Sequence, residues 1–327
     1  MISIVGGGLA GSEAAWQAAQ RSVPVTLYEM RPVRPTRVHQ TDYFSELVCS
    51  NSFRGTQLEN AVGLLKEEMR RLGSLIIRVA DETRVPAGGA LAVDRERFAV
   101  GVTRAIESHP LIHICREEVT TIPDNDAQSP FIVATGPLTS EALSSEIVKL
   151  VGAEHLFFYD AISPIVSADS IDRNQVFRAS RYGRDMPVEL SAAVASNSVS
   201  TRGELTETGD YLNCPLDREQ YLLLHQAILD ADCAAGHDFD NTRFFEGCLP
   251  VEVMAHRGVD TLRFGPMKPV GLRDPNTGLR PYAVVQLRQD DLAADHFSLV
   301  GFQTQMKWGD QQRVLRLIPG LERVEFV

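Results

Sequence analysis

Six residues near the start constrain this chain more than any other feature. Gly6-Gly7-Gly8-Leu9-Ala10-Gly11 satisfies the pattern G-x-G-x-x-G. Alone the pattern is weak, because glycine-rich turns without a ligand also match it; its surroundings give it meaning. The short apolar run Ile2 to Val5 before it reads as a buried strand. Ser12 to Gln20 after it is alanine-rich and reads as a helix, and Val25 to Glu29 reads as a second strand closed by an acid. In a strand–turn–helix–strand unit of this kind each glycine has a task. Gly6 permits the tight turn, Gly8 lets the backbone approach a pyrophosphate, and Gly11 lets helix and strand pack closely. The free N–H groups of the helix N-terminus, with Gly7, Leu9 and Ala10 beside them, favour an anion there. Glu29 lies 18 residues past Gly11. A carboxylate at that place accepts hydrogen bonds from ribose hydroxyls and repels a 2′-phosphate, so the loop calls for FAD or NAD rather than NADP. Two local features lean to FAD: Glu13, expected in the first helical turn, and Ala134-Thr135-Gly136 after a later strand. Thr135 and Gly136 join the glycine loop and Glu29 as expected cofactor contacts.

The 327 residues suffice for two domains at roughly 150 residues each. No apolar run approaches the ~20 residues of a membrane helix, and the apolar start runs straight into glycines without a basic flank, unlike a signal peptide. Five cysteines without close pairing fit a reducing cytoplasm rather than a disulfide scaffold. There is no Cys-x-x-Cys, His-Glu-x-x-His or P-loop, so neither zinc nor a Walker-type site is expected. The net charge of −11 argues against nucleic acid when taken alone. Charge distribution is a separate matter. Arg31, Arg34 and Arg37 lie close together, as do Arg70 and Arg71, and they read either as solvated surface charge or as a local basic face.

Further along, Asn60 to Leu72 has helical spacing, with Leu64, Leu65, Met69 and Leu72 on one face. Leu75 to Val79 reads as a short apolar strand, Asp94 to Ile106 as a helix, Leu111 to Cys115 as a strand and Phe131 to Ala134 as another buried strand. This alternation implies a mostly parallel sheet up to about residue 150. Beyond it, Phe157 to Val166 is an aromatic strand region. Arg184 to Gly209 reads as a flexible insertion or exposed loop, Asp217 to Ala234 as a helix, and Tyr282 to Arg288 and Phe297 to Phe302 as strands. The predicted architecture is α/β: a Rossmann-like dinucleotide-binding domain over 1–150, returning from about 311 to 327, with a mixed α/β insertion or substrate domain over 151–310.

The cysteines fall into two groups. Cys49, in Leu47-Val48-Cys49-Ser50-Asn51-Ser52, and Cys248, in Glu246-Gly247-Cys248-Leu249-Pro250, sit among polar or turn-forming residues where a thiolate can be accessible. Cys115 ends a strand and Cys233 falls on the expected helix, which favours packing roles. Cys214, in Tyr211-Leu212-Asn213-Cys214-Pro215, fits either group.

A resemblance rests on long motifs in a fixed order. They are Gly6–Gly11, Tyr28-Glu29-Met30-Arg31-Pro32, Val48-Cys49-Ser50-Asn51-Ser52, Val85 to Arg95, Phe158-Tyr159-Asp160-Ala161, Tyr211 to Pro215, Phe264 to Leu272 and Val284 to Gln289. Through them nearly the whole chain resembles the folate- and FAD-dependent tRNA uracil-C5 methyltransferase family (TrmFO). The resemblance implies methylation of the T-loop uridine, position 54, of tRNA. The carbon comes from 5,10-methylenetetrahydrofolate, FAD carries it, and NADPH or NADH supplies reducing equivalents. It implies that Cys248 is the nucleophile on uracil and that Cys49 is a second functional cysteine near the flavin, two roles open to exchange. Lys268 and Arg288 become candidates for phosphate or folate-carboxylate contacts, or for surface ion pairs. Neither a metal nor a membrane partner is implied. Related sequences continue for about a hundred residues beyond Val327, and a second glycine-rich flavin segment is expected there. Alternatives are methylation of a ribosomal RNA uridine by the same chemistry, an inactive RNA-binding homologue, and a plain flavin oxidoreductase, which would have no need of the two cysteines.

Overall fold

The computed structural model describes residues 1–36, 38–123, 129–152, 163–185, 209–233 and 249–327. In chain order its elements are β1 (Ile2–Val5), α1 (Leu9–Gln20), β2 (Val25–Glu29), β3 (Ser52–Gly55), α2 (Ala61–Arg71), α3 (Leu75–Glu82), β4 (Arg84–Val85), β5 (Ala90–Val93), α4 (Arg95–Glu107), β6 (Ile112–Arg116), β7 (Phe131–Val133), α5 (Glu141–Val151), β8 (Ile165–Ser167), β9 (Phe177–Arg178), β10 (Tyr211–Leu216), β11 (Ala283–Gln289) and β12 (His296–Leu299). Helices Arg218–Leu229, Val251–His256, Thr261–Phe264 and Trp308–Leu315 and the short 3-10 turns Gly136–Leu138, Ala168–Ser170 and Arg181–Gly183 are the other elements among the described residues. The chain divides into two compact units. One takes the described residues within 1–48, 56–83 and 93–158, the other those within 49–55, 84–92 and 159–327.

The first unit is built on a parallel sheet in the order β6-β2-β1-β7. Ile4 and Leu27 are fully buried, as are Ala15 of α1 and Phe98 and Val102 of α4. Each such large side chain contributes about 1.5–3 kcal/mol relative to exposure. The alanine face of α1 lets the helix lie close to the strands. Strand order reverses at β1, with β2 on one side and β7 on the other, so the carboxyl end of β1 is the topological switch point where α/β sheets bind ligands. β7 is an edge strand, and its Ile132 and Val133 are more than a third exposed, where sequence suggested burial.

Leu75 to Val79 corrects another expectation. Its β-branched residues suggest a strand, but the segment is the start of α3. Ser74 caps it by accepting a hydrogen bond from the Ile77 amide at 3.2 Å. The Glu13 carboxylate, reaching across from α1, accepts from Ser74 Oγ at 2.8 Å and from the Ile76 amide at 3.0 Å. Capping of otherwise orphaned amides, with burial of Leu75, Ile76 and Val79, outweighs a strand propensity that is only a weak preference. Glu13 itself lies one turn later than expected, since the first turn of α1 carries no acid.

The second unit centres on an antiparallel sheet, β8-β12-β11-β10-β9, and includes a small sheet in the order β3-β5-β4. β10 and β11 alternate strictly. Leu212, Cys214 and Leu216 enter the main core with Ala283, Val285 and Leu287. The opposite face pairs Tyr211 with Arg288 and Asn213 with Gln286 across the strands. Helix Arg218–Leu229 opens with a full capping box between Asp217 and Gln220 and covers the apolar face with Tyr221, Leu224 and Ile228. Val314, Leu315, Ile318, Leu321 and Val324 belong to the same core, so the tail over 311–327 packs within this unit. Cys233 stands in an isolated bridge with Met306, past the end of the helix on which it was expected. The expected strand region over 157–166 is described only from residue 163, where β8 begins at Ile165, and most of the expected loop over 184–209 lies outside the described residues.

Candidate cofactor site

A cavity of about 380 Å³ opens in the first unit, lined by Gly6, Gly7, Gly8, Leu9, Ala10, Glu29, Thr135 and Gly136, together with Arg31, Thr36, His39 and Val48. Every residue expected to touch a dinucleotide is on its wall except Gly11. That volume falls in the ordinary range for small-molecule sites, roughly 300–1,000 Å³.

The glycines divide the work as their surroundings dictate. Gly6 has φ +107°, and a Cβ on it would meet the Ala134 carbonyl oxygen at 2.6 Å, so β1 and the end of β7 meet only because this residue lacks a side chain. A Cβ on Gly11 would sit 1.8 Å from the Gly6 carbonyl oxygen; its place is in the packing between helix and turn, behind the cavity wall. Around Gly8 a Cβ would meet nothing within 4 Å. That open space is where a ligand backbone can approach. Gly8 is also the N-cap of α1, and no side chain caps the helix, so its first amides remain available to an anion.

Glu29 is 6% exposed. Its Oε2 accepts the Gly7 amide at 2.9 Å, and its Oε1 accepts the backbone N–H and Nε of Arg31, each at 3.0 Å. Burial pushes its pKa up, but the hydrogen bonds and charge of Arg31 and the Gly7 amide prevail and hold the carboxyl below its ordinary value. A carboxylate has about four acceptor positions, so three donors leave room for a ribose hydroxyl. Arg31 is itself buried and is tied to Glu46 at 3.2 Å and to the carbonyls of Thr41 and Tyr43. It thereby folds residues 41–46 over the start of the loop, where Ser45 donates its amide to the Gly7 carbonyl at 2.8 Å. His39 lines the cavity with Nδ1 at 2.7 Å from Thr36 Oγ1. Burial, aided by the Arg31 charge, lowers its pKa.

Sequence reading did not single out Arg31 or His39 as site residues. Arg31 was one of a run of arginines, and those arginines form ion pairs rather than a free basic face. Arg31 pairs with Glu29 and Glu46, Arg34 with Glu118, Arg70 with Asp81 and Arg71 with Glu67. Arg37 lies outside the described residues. A missed signal was available: an arginine two residues past the acid that closes β2 can reach back to that carboxylate.

The cysteines separate clearly. Cys248 lies outside the described residues. Cys49 belongs to the second unit and is half-buried. Its neighbours Ser50 and Asn51 are held by Arg288, whose guanidinium donates to Asn51 Oδ1 at 2.8 Å and to Ser50 Oγ at 3.0 Å. Cys214 is fully buried, and burial raises its thiol pKa far above the usual range. Burial likewise pushes Cys233 up to about 11. Cys115 is half-buried on β6, with its pKa raised by burial and by Glu117. Lys268 is exposed.

A parallel sheet with a glycine-rich turn at its switch point, an uncapped helix N-terminus and an acid closing the second strand defines a Rossmann-type dinucleotide-binding protein. The chain belongs to the family described as glucose inhibited division protein A, whose profile matches residues 1–327. Among curated proteins it is 56% identical over 326 residues to the methylenetetrahydrofolate–tRNA-(uracil-5-)-methyltransferase TrmFO of Desulforudis audaxviator, and 54% identical to the proteins of that name from Enterococcus faecalis and Bacillus subtilis. In each case the match covers 100% of this chain and 69% of the relative. Two crystal forms of Aquifex aeolicus GidA share the fold, with TM-scores of 0.62 and 0.63 at 15% identity, covering 100% of this chain and 54% and 56% of theirs.

Proposed function

We propose that this chain is a tRNA uracil-C5 methyltransferase that takes its one-carbon unit from 5,10-methylenetetrahydrofolate, uses FAD and a reduced nicotinamide, and acts on the T-loop uridine at position 54 in the cytoplasm. The observation that carries the reading is the cavity at the switch point of a chain more than half identical to proteins bearing that name. The cavity suits FAD: the open side of Gly8, the uncapped amides of α1 and the ionised Glu29 match a pyrophosphate and a ribose without a 2′-phosphate. When bound, FAD supplies the means of carrying the carbon from folate.

The residues of this chain do the rest. Gly8, Leu9 and Ala10 would hold the pyrophosphate, and Glu29, steadied by Arg31, would orient the ribose. Uracil C5 is a poor nucleophile. Addition of the Cys248 thiolate to C6 forms an S–C6 bond and moves the ring π-electrons onto O4, so that C5 can attack a one-carbon electrophile. Loss of the C5 proton and of the Cys248 thiolate restores the ring, while the transferred carbon parts from its carrier and takes up one hydride equivalent, drawn ultimately from the reduced nicotinamide, which brings it from the formaldehyde to the methyl level. Cys49 stands as a general base for that proton, or exchanges roles with Cys248. Cys214 is unsuited to either task, because its thiol stays protonated.

The purified chain should be yellow or become so with FAD. Given labelled methylenetetrahydrofolate, NADPH and unmodified tRNA, it should place label on the T-loop uridine, and Cys248→Ala should abolish transfer while retaining flavin. A protein that stays colourless with FAD sinks the reading. Label appearing in ribosomal RNA but not tRNA transfers it to the alternative substrate, and normal turnover by Cys248→Ala refutes the nucleophile.

A further inference from the structure

The second unit carries a cation whose partners are all neutral. Arg181 donates Nε to Gln286 Oε1 at 2.9 Å and Nη1 to the carbonyls of Lys268 and Val270. Gln286 is aimed by Asn213, which donates in turn to the carbonyls of Phe177, Ala179 and Tyr211. No carboxylate among the described residues pairs with this guanidinium, and the groups that raise its pKa against burial are two tyrosines. The network fixes the fork, and no hydrogen bond joins Nη2 to another described residue.

The next residue is unusual in two respects. Tyr182 has φ +59°, a left-handed conformation rare for a residue with a large side chain. The residue is 61% exposed. It is held there by packing and not by burial. A Cβ on Gly271 would come within 3.0 Å of the ring, and the Tyr182 amide donates to the Gly271 carbonyl at 3.0 Å. The Arg184 guanidinium stands 5.7 Å from the ring centroid. Backbone held in such a region by its surroundings clusters at functional sites.

The loop that receives Arg181 adds two more groups. Lys268, whose carbonyl Arg181 holds, is exposed. Its amide donates to the Gly265 carbonyl, closing a tight turn, and immediately before that turn stands Phe264, 78% exposed. Cations and exposed aromatics therefore alternate along two segments, 181–184 and 264–268, joined by the hydrogen bonds from Arg181 to the Lys268 and Val270 carbonyls, in a chain with net charge −11. Proteins bind unpaired nucleic acid by the same alternation: bases stack on aromatic rings while arginine and lysine meet the phosphates. The arginine clusters of the first unit do not compete for the assignment, since each described member is ion-paired.

We propose that Arg181, Tyr182, Phe264 and Lys268 form a contact surface for unpaired RNA nucleotides, with Tyr182 as the stacking platform and Arg181 and Lys268 as phosphate contacts. The inference rests on the reading of the chain as a tRNA-modifying enzyme and adds to it where the RNA is gripped.

The test is direct binding of unmodified tRNA transcript to the full chain, followed by fluorescence anisotropy across a range of salt concentrations. Tyr182→Gly removes the ring while suiting the left-handed backbone, so it spares the fold; a melting curve checks this. It should weaken binding about tenfold, whereas Tyr182→Phe should bind as the parent does. Lys268→Gln should lower the slope of log affinity against log salt by about one. If the parent binds tRNA and both Tyr182→Gly and Lys268→Gln match it, the surface is wrongly assigned and the enzymatic reading stands. If the parent fails to bind tRNA even at low salt, the tRNA reading falls and this surface with it. If the variants keep tRNA affinity but raise KM for methylenetetrahydrofolate, the surface serves folate and the RNA assignment is overturned.

Discussion

Glu29 shows how one residue can be right in place and incomplete in description. Its position at the end of β2 follows from the sequence. Its state does not: the ionised form is secured by Arg31, which the fold buries beside it. Because the folded pKa lies below the unfolded value, the ionised carboxylate stabilises the protein above the unfolded pKa, and that stabilisation is lost as pH falls through the folded pKa. Urea unfolding of the parent and Glu29→Gln, compared between neutral pH and the acid range, should show a gap that is full at neutral pH and closes on acidification. A gap independent of pH would mean that Glu29 acts through packing alone. The same residue-scale logic separates the glycines: Gly11 answers to helix packing and Gly8 to the open cavity.

At the scale of elements, α3 is the instructive case. A run of Leu, Ile, Ile and Val satisfies a buried strand and a short buried helix equally well, and periodicity over so few residues does not decide between them. The decision comes from Ser74 and from Glu13, which approaches from α1. Ser74→Ala should therefore cost about 1 kcal/mol of unfolding free energy, read as a lower urea midpoint with unchanged slope. No change in midpoint would show that packing alone holds α3. In the second unit the strand expected over Tyr282 to Arg288 corresponds to β11, whereas β10 was not expected, although Tyr211 to Leu216 alternates with period two. That alternation also marked Asn213 and Gln286 as a polar face, a signal available in the sequence and not used.

For the whole molecule, burial sorts the cysteines in a way that sequence context did only in part. Cys214 lies in the core of the second unit, so a thiol reagent applied to the native protein should leave it unmodified, and its labelling should appear only with unfolding of that unit. Peptide mapping after timed labelling measures this, and rapid native modification of Cys214 would contradict the packing. Local rules of chain chemistry made much of the protein legible in advance. The parallel α/β start, the glycine loop with its acid, the helix after Asp217 and the strand over Tyr282 to Arg288 each depend on residues close together in sequence. Tertiary structure alone decided which segments joined which unit, as with 49–55 and 84–92, because membership depends on which surfaces meet after folding. It also decided that Arg31 would be buried in ion pairs while Arg181 met only neutral partners among the described residues. Both arginines have a tyrosine within three residues in the sequence, and only the arrival of Glu46 beside one, and of neutral carbonyls beside the other, sets them apart.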